Sequence, residues 1–177
     1  AGRWAQPVIA SAITAITPEG PAYRGHGAVD LARRGASFES VAELLWTGVR
    51  HIEPLAWEVQ PVPPRLGLQL NTLMTGHGLS AQSPRPMLRI LSLAAMLLAG
   101  VEPAASELRR GTTVPAARQL ILAFSGCLGY LARHSSYRLP RPDRSVAENA
   151  ALALTGAADP RIVRALNAAL VLSADHE

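Results

Sequence analysis

The stretch that decides the fold class is Asp159-Pro-Arg-Ile-Val-Arg-Ala-Leu-Asn-Ala-Ala-Leu-Val-Leu-Ser-Ala-Asp-His-Glu177. Asp159 suits the N-cap of a helix, and Pro160 suits the first helical position. Apolar residues recur at helical spacing on one face, at Ile162, Leu166, Ala169 and Leu170. The pattern therefore predicts an apolar helix that runs to about Ala174.

Upstream of this stretch, prolines at helix starts and glycines just after helix ends divide the chain into further predicted helices. The predicted helices are Phe38–Trp46 after Ser37, Pro64–Thr75, Pro84–Ala99 after Ser83, Pro115–Arg133, and a short helix to about Thr155 opened by the capping box Ser145-Val-Ala-Glu148. In Val8–Arg24, apolar and polar residues alternate loosely on either side of the turn Thr17-Pro-Glu-Gly-Pro21. This pattern predicts a small hairpin, which must pack on helices to be stable. We expect an all-α domain, with an N-terminal segment at residues 1–26 and a helical portion at 27–177.

Composition and charge narrow the class of protein. The chain is 49% hydrophobic and 5% aromatic, which favours helices over sheets. A single cysteine, Cys127, excludes an internal disulfide, and the first residues do not resemble a signal peptide, so we expect a cytoplasmic protein. The most apolar stretch, Ile90–Val101, is too short to cross a membrane, and we expect no membrane association.

The basic residues do not predict nucleic-acid binding. The net charge is +4, and all 17 basic residues are arginines spread from Arg3 to Arg164 without a run longer than two. No aromatic residues alternate with them to stack on bases. We therefore expect no nucleic acid among the partners.

The histidines are the candidate catalytic and metal-binding residues; they are His26, His51, His77, His134 and His176. None of them forms the i, i+4 pair with a glutamate that marks a helical zinc site, so no metal site is predicted. His176 stands between Asp175 and Glu177 at the end of an apolar helix. The three residues could form an acid–base cluster, but from spacing alone a charged, solvated helix end is the favoured interpretation.

Three stretches of the chain resemble citrate synthase and its 2-methylcitrate relatives. The first runs from Ser11-Ala-Ile-Thr14 and Tyr23-Arg-Gly25 to Val41-Ala-Glu-Leu-Leu-Trp-Thr-Gly48, the second is Ala123–His134, and the third is Ala165–Glu177 with its Asp-His-Glu. They follow the family's order over nearly the whole chain. The resemblance implies the family's helical large domain, with this chain as its N-terminal half, truncated after Asp-His-Glu.

The resemblance also implies a reaction and its residues. The family condenses an acyl-CoA with a 2-oxo acid such as oxaloacetate, with the coenzyme A thioester as substrate and no further cofactor. His176 matches the histidine that donates a hydrogen bond to the thioester oxygen as it becomes an enolate. Arg133 matches an arginine that contacts a phosphate of coenzyme A, although it could instead cap its own helix. The family is dimeric, and helices around Ile90–Ala99 and Ala117–Leu131 are candidates for a homodimer interface or for plain core.

The chain also departs from the family pattern. The resemblance leads us to expect a histidine three positions after Glu148-Asn149. This chain has Leu152 at that position. The family's second catalytic histidine and its aspartate base match nothing in the 177 residues. Two hypotheses follow: a citrate synthase-like acyltransferase that is inactive as this fragment alone, or a non-catalytic helical binding protein derived from the same fold.

Overall fold

The computed structural model describes residues 12–52, 55–76, 87–101 and 113–175. The described residues form the strands β1 (Thr14–Thr17), β2 (Gly20–Tyr23) and β3 (His26–Gly27), and the helices α1 (Ala28–Arg33), α2 (Phe38–Thr47), α3 (Pro64–Gly76), α4 (Met87–Val101), α5 (Thr113–Cys127), α6 (Val146–Thr155) and α7 (Pro160–Leu172). A 3-10 helix, Leu128–Leu131, follows α5. The predicted all-α fold with a short N-terminal hairpin is confirmed.

The three strands form a small antiparallel sheet in the order β1-β2-β3. Thr14 pairs with Tyr23 across the first hairpin. The second hairpin turns at Arg24 and Gly25, whose φ angles of 46° and 84° are both positive, as tight two-residue hairpins require. The Arg24 guanidinium donates hydrogen bonds of 3.0 and 2.8 Å to the Leu45 carbonyl, which fastens this turn to the C-terminal end of α2.

Three helices are capped by the residues that the sequence predicts. The side chain of Ser37 accepts from the Ser40 N–H at the start of α2, and Ser145 and Glu148 form both bonds of the capping box at the start of α6. Asp159 caps α7, with Pro160 in its first turn. These signals depend on neighbouring residues only, which is why the sequence predicts them well.

Two helices differ from their prediction. The prediction of one helix over Pro115–Arg133 was wrong at its C-terminal end, because α5 ends at Cys127 and tightens into the 3-10 helix. There the segment 136–138 crosses the helix, and the Arg138 N–H donates to the Gly126 carbonyl over 3.1 Å. Helix α1 was not predicted, because no side chain caps its N-terminus. The predicted start of α4 at Pro84 lies outside the described residues.

The face predicted for α7 is only partly correct. Ile162, Leu166 and Leu170 are half-buried, whereas Ala169 is exposed. The fully buried residue of this helix is Val171, which faces the hairpin side of the core. The helix is thus a half-covered amphipathic helix with one deeply buried residue near its end.

Two hydrophobic clusters make up the core. The first joins α3, α4, α5 and the 3-10 helix around Leu66, Leu70, Ile90, Leu122 and Tyr137. The second joins the hairpin, α1, α2 and α7 around Tyr23, Phe38, Leu44, Trp57 and Val171. Helix α6 packs against α5, the 3-10 helix and α7, and it buries four alanines, Ala147, Ala150, Ala151 and Ala153. Small side chains let these neighbours approach α6 closely.

Within the described residues, one helical stretch, Thr113–Leu131, is long and apolar enough by length and composition to cross a membrane. Of its most apolar window, 44% is buried inside the fold, and helices in the core of soluble proteins meet the same criteria. The division of the chain at residue 26 stays a prediction.

Candidate functional site

The end of α7 is held in place by the N-terminal hairpin. The Tyr23 hydroxyl donates to the Leu172 carbonyl over 3.1 Å and lies 3.5 Å from the Asp175 carbonyl oxygen. The Thr14 hydroxyl donates to the Asp175 carboxylate. Tyr23 is completely buried, and burial raises the pKa of its phenol, so the hydroxyl keeps its proton and remains a donor at neutral pH. Backbone and side chain of Asp175 are therefore both tied to the sheet.

A second anchor holds the middle of α7. Asn167 donates from its amide to the Ala36 carbonyl over 2.8 Å and accepts from the Phe38 N–H over 2.9 Å. This one side chain bonds the residues on either side of Ser37, the N-cap of α2. Together with the hairpin contacts, it fixes the position of α7 along its length.

The predicted catalytic residue His176 lies outside the described residues. Asp175, its immediate neighbour, is the last residue that the structure describes. The contacts of Tyr23 and Thr14 thus hold the backbone one residue before the candidate histidine. Sequence reasoning missed this role for the hairpin, because the bonded residues are 149 to 161 positions apart and share no local pattern.

The predicted coenzyme A contact, Arg133, lies in the turn after the 3-10 helix, and its side chain is exposed. Among the described residues, no hydrogen bond from its guanidinium closes the helix end, which is closed instead by the Ala132 N–H on the Gly129 carbonyl. Helix α6 packs between this 3-10 helix and α7. In the described part of the chain, no bond joins Arg133 to Asp175.

A buried acid that the sequence did not single out contacts the N-terminal end of α6. Glu39 of α2 is 2% exposed, and its Oε1 accepts from the Val146 N–H over 2.7 Å. Burial raises the pKa of this carboxyl above its usual value, and the nearby charge of Glu148 adds to the shift. Both effects disfavour the charged form of this side chain.

The residue at the expected histidine position, Leu152, is half-buried beside a recess of about 90 Å³. Arg138, Arg141 and Asn149 also line this recess. Asn149 orders the loop above it, since its amide donates to the carbonyls of residues 141, 144 and 145 and its oxygen accepts from the Arg141 N–H. The recess thus has an apolar floor at Leu152 and a rigid polar rim.

Other candidate ligands in the described residues do not form a reactive site. Within those residues, no three His, Cys, Asp or Glu side chains lie close enough together to bind a metal ion. Cys127 is fully buried, and burial raises the pKa of its thiol to about 12. A thiol that stays protonated is a poor nucleophile, so Cys127 serves as a core residue.

Fold and site define a helical domain in which a short N-terminal sheet fixes the end of an amphipathic helix followed by Asp-His-Glu. A family model described as "Citrate synthase, C-terminal domain" matches residues 2–177. The chain therefore belongs to the citrate synthase family. A search of curated proteins gave no match.

Proposed function

We propose that this chain contributes to a citrate synthase-type condensation of an acyl-CoA with a 2-oxo acid. The citrate synthase family uses acyl-CoA and oxaloacetate as substrates. Its first chemical problem is to remove a proton from the acyl carbon next to the thioester, which places negative charge on the thioester oxygen. A hydrogen-bond donor held at that oxygen lowers the barrier.

His176 is the donor in this proposal. The observation that carries the assignment is the double attachment of Asp175 to the hairpin through Tyr23 and Thr14. Such a donor must be held within a fraction of an ångström to act, and a helix end alone frays. The hairpin supplies the second support that a catalytic histidine at this position needs.

Arg133 is the proposed contact for a phosphate of coenzyme A. Its exposed guanidinium can reach a ligand in solution, and its planar fork suits phosphate oxygens. Arg133→Gln is expected to raise the KM for the acyl-CoA by about tenfold with kcat unchanged, as expected for a lost charge-assisted hydrogen bond. Arg161→Gln, at an exposed arginine on α7, is the matched control.

The decisive experiment is an assay of free coenzyme A release. The full-length protein is given acetyl-CoA or propionyl-CoA with several 2-oxo acids. His176→Ala is expected to lower kcat by at least about a hundredfold, the cost of losing one such donor. His51→Ala, at a histidine that the structure describes as exposed, is expected to leave kcat unchanged. An undiminished rate in His176→Ala would remove the site assignment.

The 177-residue chain assayed alone is expected to release no coenzyme A, because no residue in it matches the family's aspartate base. Binding of acyl-CoA without turnover in the full-length protein would instead favour a non-catalytic binding protein. We also propose a homodimer in the cytoplasm.

A further inference from the structure

Asn167 bonds the connection between α1 and α2 with both ends of its side-chain amide. Its Nδ2 donates to the Ala36 carbonyl over 2.8 Å, and its Oδ1 accepts from the Phe38 N–H over 2.9 Å. A carbonyl accepts and a backbone N–H donates, so only one orientation of the amide satisfies both partners. Two bonds on either side of Ser37 also prevent the side chain from pivoting about a single contact.

The connection that Asn167 bonds is itself held by hydrogen bonds. On the α1 side, the Ala36 N–H donates to the Leu31 carbonyl over 3.0 Å. On the α2 side, the Ser37 side chain caps the helix. The N–H groups of a first helical turn have no partner inside their own helix, and Asn167 supplies one for Phe38. The amide therefore ties α7 to a fixed point between two helices.

Apolar packing alone defines the axial position of α7 poorly. Of its 13 residues, all of which the structure describes, only Val171 is fully buried, and the others are half-buried or exposed. Val171 lies four positions after Asn167, so both residues are on the face towards the cluster that contains Phe38. The bonds of Asn167 add what packing leaves open, because hydrogen bonds have preferred lengths and directions.

A shift of α7 would also move His176, the proposed donor to the thioester oxygen. Asn167 precedes His176 by nine positions, and α7 ends between them at Leu172. A helix rises about 1.5 Å per residue, and a misplacement of about 1 Å can lower the rate of an enzyme about a hundredfold. Two separate supports are needed to fix the direction of a helix axis. The hairpin holds the end of α7, and Asn167 holds its middle.

We propose that Asn167 is a positioning residue for the condensation. By holding α7 against the start of α2, it sets the axial position of this helix and thereby the place of His176. Asn167 touches no reacting atom in this proposal and acts only through His176. The inference rests on the proposed function, and it adds a support in the middle of α7 to the one that Tyr23 and Thr14 give Asp175.

Free coenzyme A release by the full-length protein tests this role. Asn167→Ala removes both bonds, and kcat is expected to fall by about tenfold or more. The KM for the acyl-CoA is expected to change by less than about twofold, because Arg133, the proposed coenzyme A contact, lies on a different segment.

Asn71→Ala is the matched control. The Asn71 Oδ1 accepts bonds of 2.7 Å from the Tyr130 hydroxyl and 2.9 Å from the Tyr137 N–H, in the cluster that does not contain α7. This variant also loses two hydrogen bonds between distant segments, and it is expected to leave kcat unchanged.

A double variant separates positioning from a general loss of stability. Because Asn167 acts only through His176 in this proposal, Asn167→Ala should lower kcat in the wild type but cause no further fall in His176→Ala. Effects of residues that act as a unit are not additive. A residue that only stabilises the fold would instead lower kcat by the same factor in both backgrounds.

Three results with an active wild type would overturn this inference and leave the proposed function standing: an unchanged kcat in Asn167→Ala, an equal fall in Asn71→Ala, or an equal fall in both backgrounds. A wild type that releases no coenzyme A would overturn the proposed function and this inference with it. Circular dichroism melting shows which variants are folded. If Asn167→Ala does not fold, Asn167→Asp replaces it with the same outcomes, since it keeps the acceptor for the Phe38 N–H but loses the donor to the Ala36 carbonyl.

Discussion

Tyr23 connects the N-terminal hairpin to the candidate site with a single hydroxyl. Its ring is fully buried in the second hydrophobic cluster, and its hydroxyl donates to the Leu172 carbonyl at the end of α7. The residue therefore has two separable roles. The ring packs the core, and the hydroxyl positions the chain before His176.

Tyr23→Phe separates these two roles. The variant loses the hydrogen bond to the Leu172 carbonyl, so we expect the free energy of unfolding in urea to fall by about 0.5–1.5 kcal/mol. In the full-length protein, kcat for coenzyme A release should fall as well, because one of the two attachments before His176 is lost. Tyr137→Phe is the matched control, since it removes a similar 3.1 Å bond to the Ala123 carbonyl in the other cluster. Equal kcat values in the two variants would show that the Tyr23 hydroxyl has no positioning role.

The buried carboxyl of Glu39 should make the stability of the fold depend on pH. Its folded pKa is raised by burial above the ordinary value near 4.5, so the folded state binds its proton more tightly than the unfolded state does. Stability from this group is therefore fully present below the unfolded pKa and is lost as the pH rises through the folded pKa.

Urea unfolding of wild type and Glu39→Gln at pH 4, 6 and 8 measures this effect. The stability of the wild type relative to the variant should fall across the window above pH 4.5 and then level off, by about 1.4 kcal/mol for each unit by which the pKa is raised. A difference that is constant with pH would show that Glu39 titrates normally.

Residue-scale features differ in how far the sequence predicts them. Ser37, Ser145 and Asp159 cap helices through neighbours two or three positions away, so their roles follow from local spacing. The bonds of Tyr23 and Asn167 join segments more than 100 positions apart, and no local pattern contains them. His176 was singled out by resemblance, and its role stays a prediction.

At the scale of elements, the C-terminal end of α5 shows what local patterns leave out. The segment 136–138 lies so close to the helix that a side chain at Gly126 or Gly129 would overlap its backbone. Both glycines allow a tertiary contact inside a helical pattern. From sequence, they look like ordinary members of a long apolar helix, which is why the predicted end at Arg133 was wrong.

Gly129→Ala tests this close approach. The added Cβ would overlap the Ser136 carbonyl oxygen, and we expect a loss of about 1–3 kcal/mol in the free energy of unfolding. Gly100→Ala in α4 is the control, because a Cβ there meets no described atom within 4 Å. That variant should be neutral or gain up to about 1 kcal/mol from helix propensity. Similar values for both would mean that the segment shifts freely.

At the scale of the whole molecule, α3 and α4 present apolar side chains to solvent. Leu68 is 71% exposed, Leu88 is 78% exposed and Met96 is 72% exposed. Leu88 and Met96 lie eight positions apart, and therefore on one side of α4, whereas α5 is mostly internal. Of the two helices proposed for the homodimer, α4 is therefore our candidate for the contact surface, because large exposed apolar patches often mark interfaces.

Met96→Glu tests the dimer. A charge at the centre of an apolar contact is costly, so the variant should elute as a monomer while the wild type has the mass of a dimer in light scattering. Ile16→Glu changes a residue that is 81% exposed on the hairpin and should leave the mass unchanged. A monomeric wild type, or a dimeric Met96→Glu, would contradict this interface.

The bond between Thr14 and Asp175 spans 161 positions, nearly the entire described chain. Closing so large a loop costs conformational entropy, and contacts at such separation slow folding. Contacts between elements that are nearer in sequence can form first, so we expect this contact to form late in folding. Amides around residue 172 should exchange with deuterium sooner than those of α6. A ligand bound at the neighbouring histidine should slow that exchange and stabilise the folded chain.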